Sequence, residues 1–247
     1  IETLADGEPR NNFLKRQLTW NENGVLDGAR HLAIAGDTFY VSTDKGVVVL
    51  DMTDPLKPKY LATIAIAGAQ AAQVQFRYLF VTAKDGLHVV DVTHRDKPAE
   101  VASAFVPLRD AHKLHVARTY AYAADGADGI AIIDVTRPEH PFVYQMFNAG
   151  GKMTDARDVV VGTTNASLFA YVADGKNGLK VIQLTSPESQ PNFYGFSPEP
   201  KPQLIAWYPT KHPALSLSRG LERDRGVDES GNQIAVFGRI GSRPFNQ

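Results

Sequence analysis

The chain has 247 residues, with 26 Lys and Arg against 27 Asp and Glu and no cysteine. Near-neutral charge without a basic run argues against a nucleic-acid or membrane-surface footprint, and no apolar stretch nears the roughly 20 residues of a membrane helix. Lack of cysteine removes disulfides, thiolate zinc sites and C-x-x-C-H haem attachment.

At this length one large all-β domain or two ordinary domains can bury a core. The chain starts at Ile1, as expected of a processed chain or a piece of a longer one. Near the head, "FLKRQLTW" sets Leu14, Leu18 and Trp20 on one face of a possible outer strand. Four similar phrases follow: "TFYVSTDKGVVVLDMTDPLKP", "YLFVTAKDGLHVVDVTHRDKP", "AYAADGADGIAIIDVTRPEHP" and "LFAYVADGKNGLKVIQLTSPESQP". Their turn glycines, Gly46, Gly86, Gly129 and Gly178, are spaced by 40, 43 and 49 residues. Short strands at such a period are the signature of propeller blades, and the long 3.6-residue periodicity of helical repeats is missing.

Each unit parses into four strands. In the third unit they are expected at 112–117, 119–124, 129–134 and 142–147. The third strands, "VVVLD", "LHVVD" and "IAIID", are nearly all β-branched or Leu, so they should be buried on both faces between blades. Glycine before each supplies the positive φ of a tight hairpin. Asp51, Asp91 and Asp134 end these strands, where a short carboxylate can accept local backbone N–H groups. Pro55, Pro98, Pro138 and Pro187 stop pairing where the chain leaves the sheet.

These turn and third-strand residues resemble the LVIVD repeat over residues 28 to 208, with Gln183 replacing the aspartate of the fourth unit. The resemblance implies a β-propeller in an extracytoplasmic protein (periplasm, cell surface or secreted) and no defined activity. The fold expected is therefore all-β, a single β-propeller domain over 1–247. Its units are about 28–66, 71–106, 111–147 and 155–208, and a fifth, closing blade combines 12–20 with 215–240. The alternative is part of a larger propeller in a longer chain. "SPESQPNFYGFSPEPKPQ" at 186–203 is a Pro/Ser-rich insertion expected to project as a loop.

Propeller sites form where one end of every inner strand converges. Aligning the inner strands brings Arg30, Ala72, His112, Arg157 and Arg219 to one ring, with Asp27, Asp110 and Asp155 two or three residues earlier. Three arginines and a histidine would form an anion-binding or partner-docking mouth; alternatively the arginines and aspartates bridge adjacent blades as ion pairs. His112 and His115, three apart in a strand, point to opposite faces and do not chelate one ion. His31 and His88 read as packed residues more readily than as ligands. Asp125, Asp128 and Asp174 hint at calcium, but Asp/Gly turns are ordinary hairpin chemistry, so no metal and no cofactor are assigned. No G-x-S-x-G, P-loop or Rossmann fingerprint occurs. Metal-dependent propeller hydrolases set several acids inward, whereas these inner strands offer only Asp158.

The leading expectation is a non-catalytic interaction module with a protein partner, within a larger surface assembly, or an anionic ligand. Two rivals stay open: a propeller hydrolase or lyase acting on an anionic substrate, and an accessory subunit of a surface redox complex.

Overall fold

A computed structural model describes residues 17–163, 167–191 and 197–218, and strand segments at 226–227, 233–236, 239–240 and 243–244. Every repeat folds as the expected antiparallel meander. The first blade runs His31–Ala35 (β1), Thr38–Thr43 (β2), Gly46–Asp51 (β3) and Lys59–Ile64 (β4). The second runs Ala71–Gln75 (β5), Tyr78–Ala83 (β6) and Gly86–Asp91 (β7). Its outer strand is split into Ala99–Glu100 (β8) and Val106–Pro107 (β9), both paired to β7, with a 3-10 turn at Ala102–Ala104 between them. The third is Ala111–Ala117 (β10), Tyr120–Asp125 (β11), Ile130–Asp134 (β12) and Phe142–Phe147 (β13), within a residue of the sequence expectation at every boundary. The fourth is Asp158–Thr163 (β14), Leu168–Ala173 (β15), Leu179–Thr185 (β16) and Gln203–Tyr208 (β17).

Burial follows composition. Val47 to Leu50 of β3, Leu87, Val89 and Val90 of β7 and Ile130 to Ile133 of β12 are all buried, because blades cover both faces of a third strand. Three apolar clusters lie between successive blades. The first joins Val47, Val49 and Ile64 to Leu79 and Val81, the second Phe80 and Val89 to Ala121 and Ile133, and the third Ile130 and Ile132 to Val159 and Ile182.

Turn glycines are needed twice over. Gly129 has φ +83°, and a Cβ there would lie 2.3 Å from the carbonyl oxygen of Phe147 on the outer strand. Gly46, Gly86 and Gly178 meet the same outer-strand carbonyl in their own blades. The sequence shows the turn but not this close approach. Strand-end aspartates act as expected: Asp51 accepts the N–H of Thr53 at 2.9 Å, Asp91 that of Thr93 at 2.8 Å and Asp134 that of Thr136 at 2.8 Å.

Of the expected closing blade only parts fall within the described residues. A last sheet consists of Gly226–Val227 (β18), Gln233–Val236 (β19), Arg239–Ile240 (β20) and Arg243–Pro244 (β21), in sequence order. Among the described residues β19 pairs with β18 on one side and β20 on the other. Of the head segment, residues 12–16 lie outside the described residues and 17–20 form no strand. Trp20 instead packs with Leu26, Phe39 and Met52 over Val41, Val48 and Leu50, on the face of the first blade turned away from the second. Among the described residues no strand pair joins the first and last sheets. The 186–203 insertion folds back in its described part: the Lys201 N–H donates to the Leu184 carbonyl at 2.6 Å, and Ser197 meets Thr119 of the third blade at 2.5 Å.

Candidate functional site at the channel mouth

The inner strands β1, β5, β10 and β14 are sheet edges, so their outward N–H and C=O groups need partners. Polar side chains supply several of them. Gln73 clamps Val116, accepting from its N–H at 2.7 Å and donating to its carbonyl at 3.1 Å. His115 occupies the corresponding position of the third blade, since Gln73 pairs with Phe80 and His115 with Tyr122, the third residues of β6 and β11. Its Nδ1 accepts from the N–H of Val161 at 3.2 Å. His31 Nδ1 accepts from the N–H of Ala72 at 3.3 Å. Both imidazoles are thereby assigned to interblade sutures.

These strands and the segment following β17 surround a cavity of about 560 Å³, which His31, Gln73, Lys113, His115, Asp158 and Ser216 help to line. Asp158 is its buried anchor. One oxygen accepts from the N–H of Val159 at 2.8 Å; the other accepts from the Leu217 N–H at 2.7 Å, Lys113 Nζ at 3.1 Å and the Ser216 hydroxyl at 3.3 Å. Burial, then the Lys113 charge, hold the His31 pKa below its ordinary value, with Asp158 opposing. Nothing in the local sequence of Lys113 or Ser216 marks either residue for this role.

Above the cavity lies the mouth. Arg30 pairs with Asp44 of its own blade, and Arg157 with Asp155, also of its own blade. His112 Nε2 lies 3.1 Å from Asp110 Oδ2 and 3.0 Å from Arg157 Nη1, so this nitrogen donates to the carboxylate when protonated and accepts from the guanidinium when not. The structure thus gathers His112, Asp110, Arg157 and Asp155 across the third and fourth blades. Asp27 instead accepts from the Asn21 amide at 2.8 Å, and Arg219 lies outside the described residues.

The equivalent of Arg30 and Arg157 in the second blade is Gln70 rather than Ala72. The backbone N–H groups of Arg30, Gln70 and Arg157 donate to corresponding second-strand carbonyls at Ser42, Thr82 and Ala173. Each described arginine of the ring is matched by an acid of its own unit, so the surface carries both signs in alternation.

Buried aspartates hold the loops that carry this network. Asp125 accepts the N–H of Asp110 at 2.7 Å, and Asp174 accepts that of Asp155 at 2.7 Å. The Asp-Gly turns of units three and four are therefore brackets for the mouth. His88, on the second blade, is held between Glu100 at 2.7 Å and Asp85 at 3.2 Å and meets the Phe105 ring at a tilt of 50°.

The LVIVD repeat profile matches residues 28–63, 108–148 and 155–196. The chain carries LVIVD repeats in three segments. The second unit, unmatched by the profile, carries the split outer strand, yet it folds as the same blade. No curated protein matches this LVIVD-repeat chain. The β-propeller domain of Myceliophteria thermophila Cps50 (Swd1) is similar in structure at 11% identity and a TM-score of 0.53, over 71% of this chain and 57% of that one. The computationally designed Ika4 protein aligns at 18% identity and a TM-score of 0.45, over 68% of this chain and 98% of that one. Citrobacter koseri AztD aligns at 14% and 0.45, over 74% and 48%. At these identities the likeness concerns fold, and the LVIVD-repeat chain spans little more than half of the Cps50 domain.

Proposed function

We propose that this LVIVD-repeat protein is a non-catalytic interaction module acting outside the cytoplasm, and that its channel mouth docks a protein partner. The observation that carries the reading is the mutual neutralisation of the mouth. Arg30 with Asp44, and Arg157 with Asp155 and His112, form a fixed pattern of both signs. Such a pattern suits the mixed charges of a protein surface better than a polyanion, since complementary arrangement gives register and rejects wrong partners. Asp158, the acid an enzymatic reading would need in the channel, is saturated by four donors and so poorly placed to exchange a proton. The extracytoplasmic setting rests on the LVIVD repeat.

The test compares wild type with Arg30→Glu/Arg157→Glu, each immobilised and exposed to an envelope extract of the source organism at two salt concentrations. The reading expects a bound protein that the double variant releases, less markedly at high salt, with little change in melting temperature. Tight, salt-sensitive binding of heparin lost in the same variant would replace the protein partner by an anionic ligand. Turnover of an ester, lactone or polyuronate abolished by His112→Ala would replace docking by catalysis.

A further inference from the structure

At three successive blade interfaces, one rim position of the earlier blade meets a loop of the later one, and its chemistry changes each time. The rim position is the residue immediately before the second strand: Asp37 before β2, Arg77 before β6 and Thr119 before β11. Between the first and second blades, Asp37 is acidic and its partner Arg95, in the loop after β7, lies 3.0 Å away. Arg95 also donates to Thr38 at 3.3 Å and lies 3.7 Å from Asp51. Between the second and third the polarity reverses. Arg77 is basic and its partner Glu139, in the corresponding loop after β12, lies 3.2 Å away, with the Tyr78 hydroxyl also donating to Glu139. Between the third and fourth the pair is neutral, Thr119 with Ser197.

The apolar interfaces do not make this distinction. They are built mainly from Val, Ile, Leu and Ala, with one aromatic, Tyr40, Phe80 or Tyr122, at the third position of each second strand, so the same kinds of residue recur and discriminate little between neighbours. The rim pairs, in contrast, add little stability where they stand, since Arg77 and Arg95 are 58% and 42% exposed. Their effect lies in the alternatives. Setting the third loop on the first blade would bring Glu139 against Asp37, and setting the second loop on its own kind would bring Arg95 against Arg77.

We propose that these rim pairs specify blade order, an acid-base, base-acid, hydroxyl-hydroxyl code that disfavours exchange of blades between chains during folding. Repeat proteins misassemble by such exchange when their units are interchangeable.

The test makes two interfaces alike while keeping both paired. Arg77→Asp combined with Arg137→His, Pro138→Arg, Glu139→Asp and His140→Lys gives the second interface the chemistry of the first. The converse variant, Asp37→Arg with Arg95→Pro and Asp96→Glu, gives the first the chemistry of the second and carries the test where the former does not fold. Each is unfolded in urea, refolded by dilution and resolved by size-exclusion chromatography over a range of protein concentrations. The proposal expects a midpoint near wild type, with the yield of native-sized protein lowered by about twofold or more and the loss growing with concentration as exchanged oligomers form. Wild-type yield overturns it, whether the midpoint is kept or lowered, because the pairs then serve local stability alone.

Discussion

His31 shows how a single side chain ties chemistry to assembly. Its Nδ1 accepts a backbone N–H from the next blade, and burial with the nearby Lys113 charge lowers its pKa. The fold therefore prefers neutral imidazole. Because the folded value lies below the ordinary histidine value of about 6.5, its contribution is complete above that pH and is lost as pH falls through it towards the folded value. His31→Asn keeps an acceptor near the Nδ1 position but does not titrate. Between about pH 7.5 and about pH 5 the melting temperature of wild type should fall more than that of the variant. Equal falls would show that His31 does not couple protonation to folding. Asp51 and Asp91 act in the acid range for another reason: bonds from the hydroxyls of Thr53 and Thr93, then from their N–H groups, lower the carboxyl pKa values. Their contribution is present above the unfolded carboxylate range and fades as pH drops through the folded value.

At the scale of the strand, the third strand of each blade carries the packing. Ile132 is fully buried on β12 between the third and fourth blades, opposite Tyr122 on β11. Ile132→Ala should cost about 2–5 kcal/mol through lost burial and a cavity. Lys176, exposed in the turn before β16, should change stability by less than about 0.5 kcal/mol when made Ala. Urea midpoints check both, and equal midpoints would contradict the burial of third strands. The split outer strand of the second blade belongs to this scale too. The ladder of β8 and β9 is interrupted at the middle of β7, where Val89 accepts from the Val101 N–H at 2.8 Å and the His88 side chain meets Glu100, Asp85 and Phe105.

For the whole molecule, the question is how one blade hands the chain to the next. The bridge between Gly175 and Ala214 repeats that between Gly126 and Ala156, so the chain leaves the fourth blade as it left the third. Asp158 then holds the new inner segment by Ser216 and Leu217 while keeping Lys113 of the preceding blade. Asp158→Asn should destabilise the protein by about 1–3 kcal/mol, since Lys113 loses its counter-charge and a backbone N–H its carboxylate. Asp158→Ala should cost more, about 3–5 kcal/mol, by leaving donors bare in a nearly buried site. Chemical denaturation measures the order. An unchanged midpoint in the alanine variant would show that the inner segments are held together by other contacts.

Local sequence was enough for whatever repeats along the chain. Blade number through the fourth unit, strand order, buried third strands and the aspartate caps were legible because each depends on residues a few positions apart, as in Asp134 and Thr136. The partners of the mouth were not legible, because Arg30 meets Asp44 and Arg157 meets His112 only once strands 14 and 45 residues apart are laid side by side. The head shows the same limit: local alternation does not say which surface Trp20 meets, and it lies against Leu26, Phe39 and Met52 on the first blade. An apolar side chain is satisfied by any dry surface, and only the packed blades decide which surface that is.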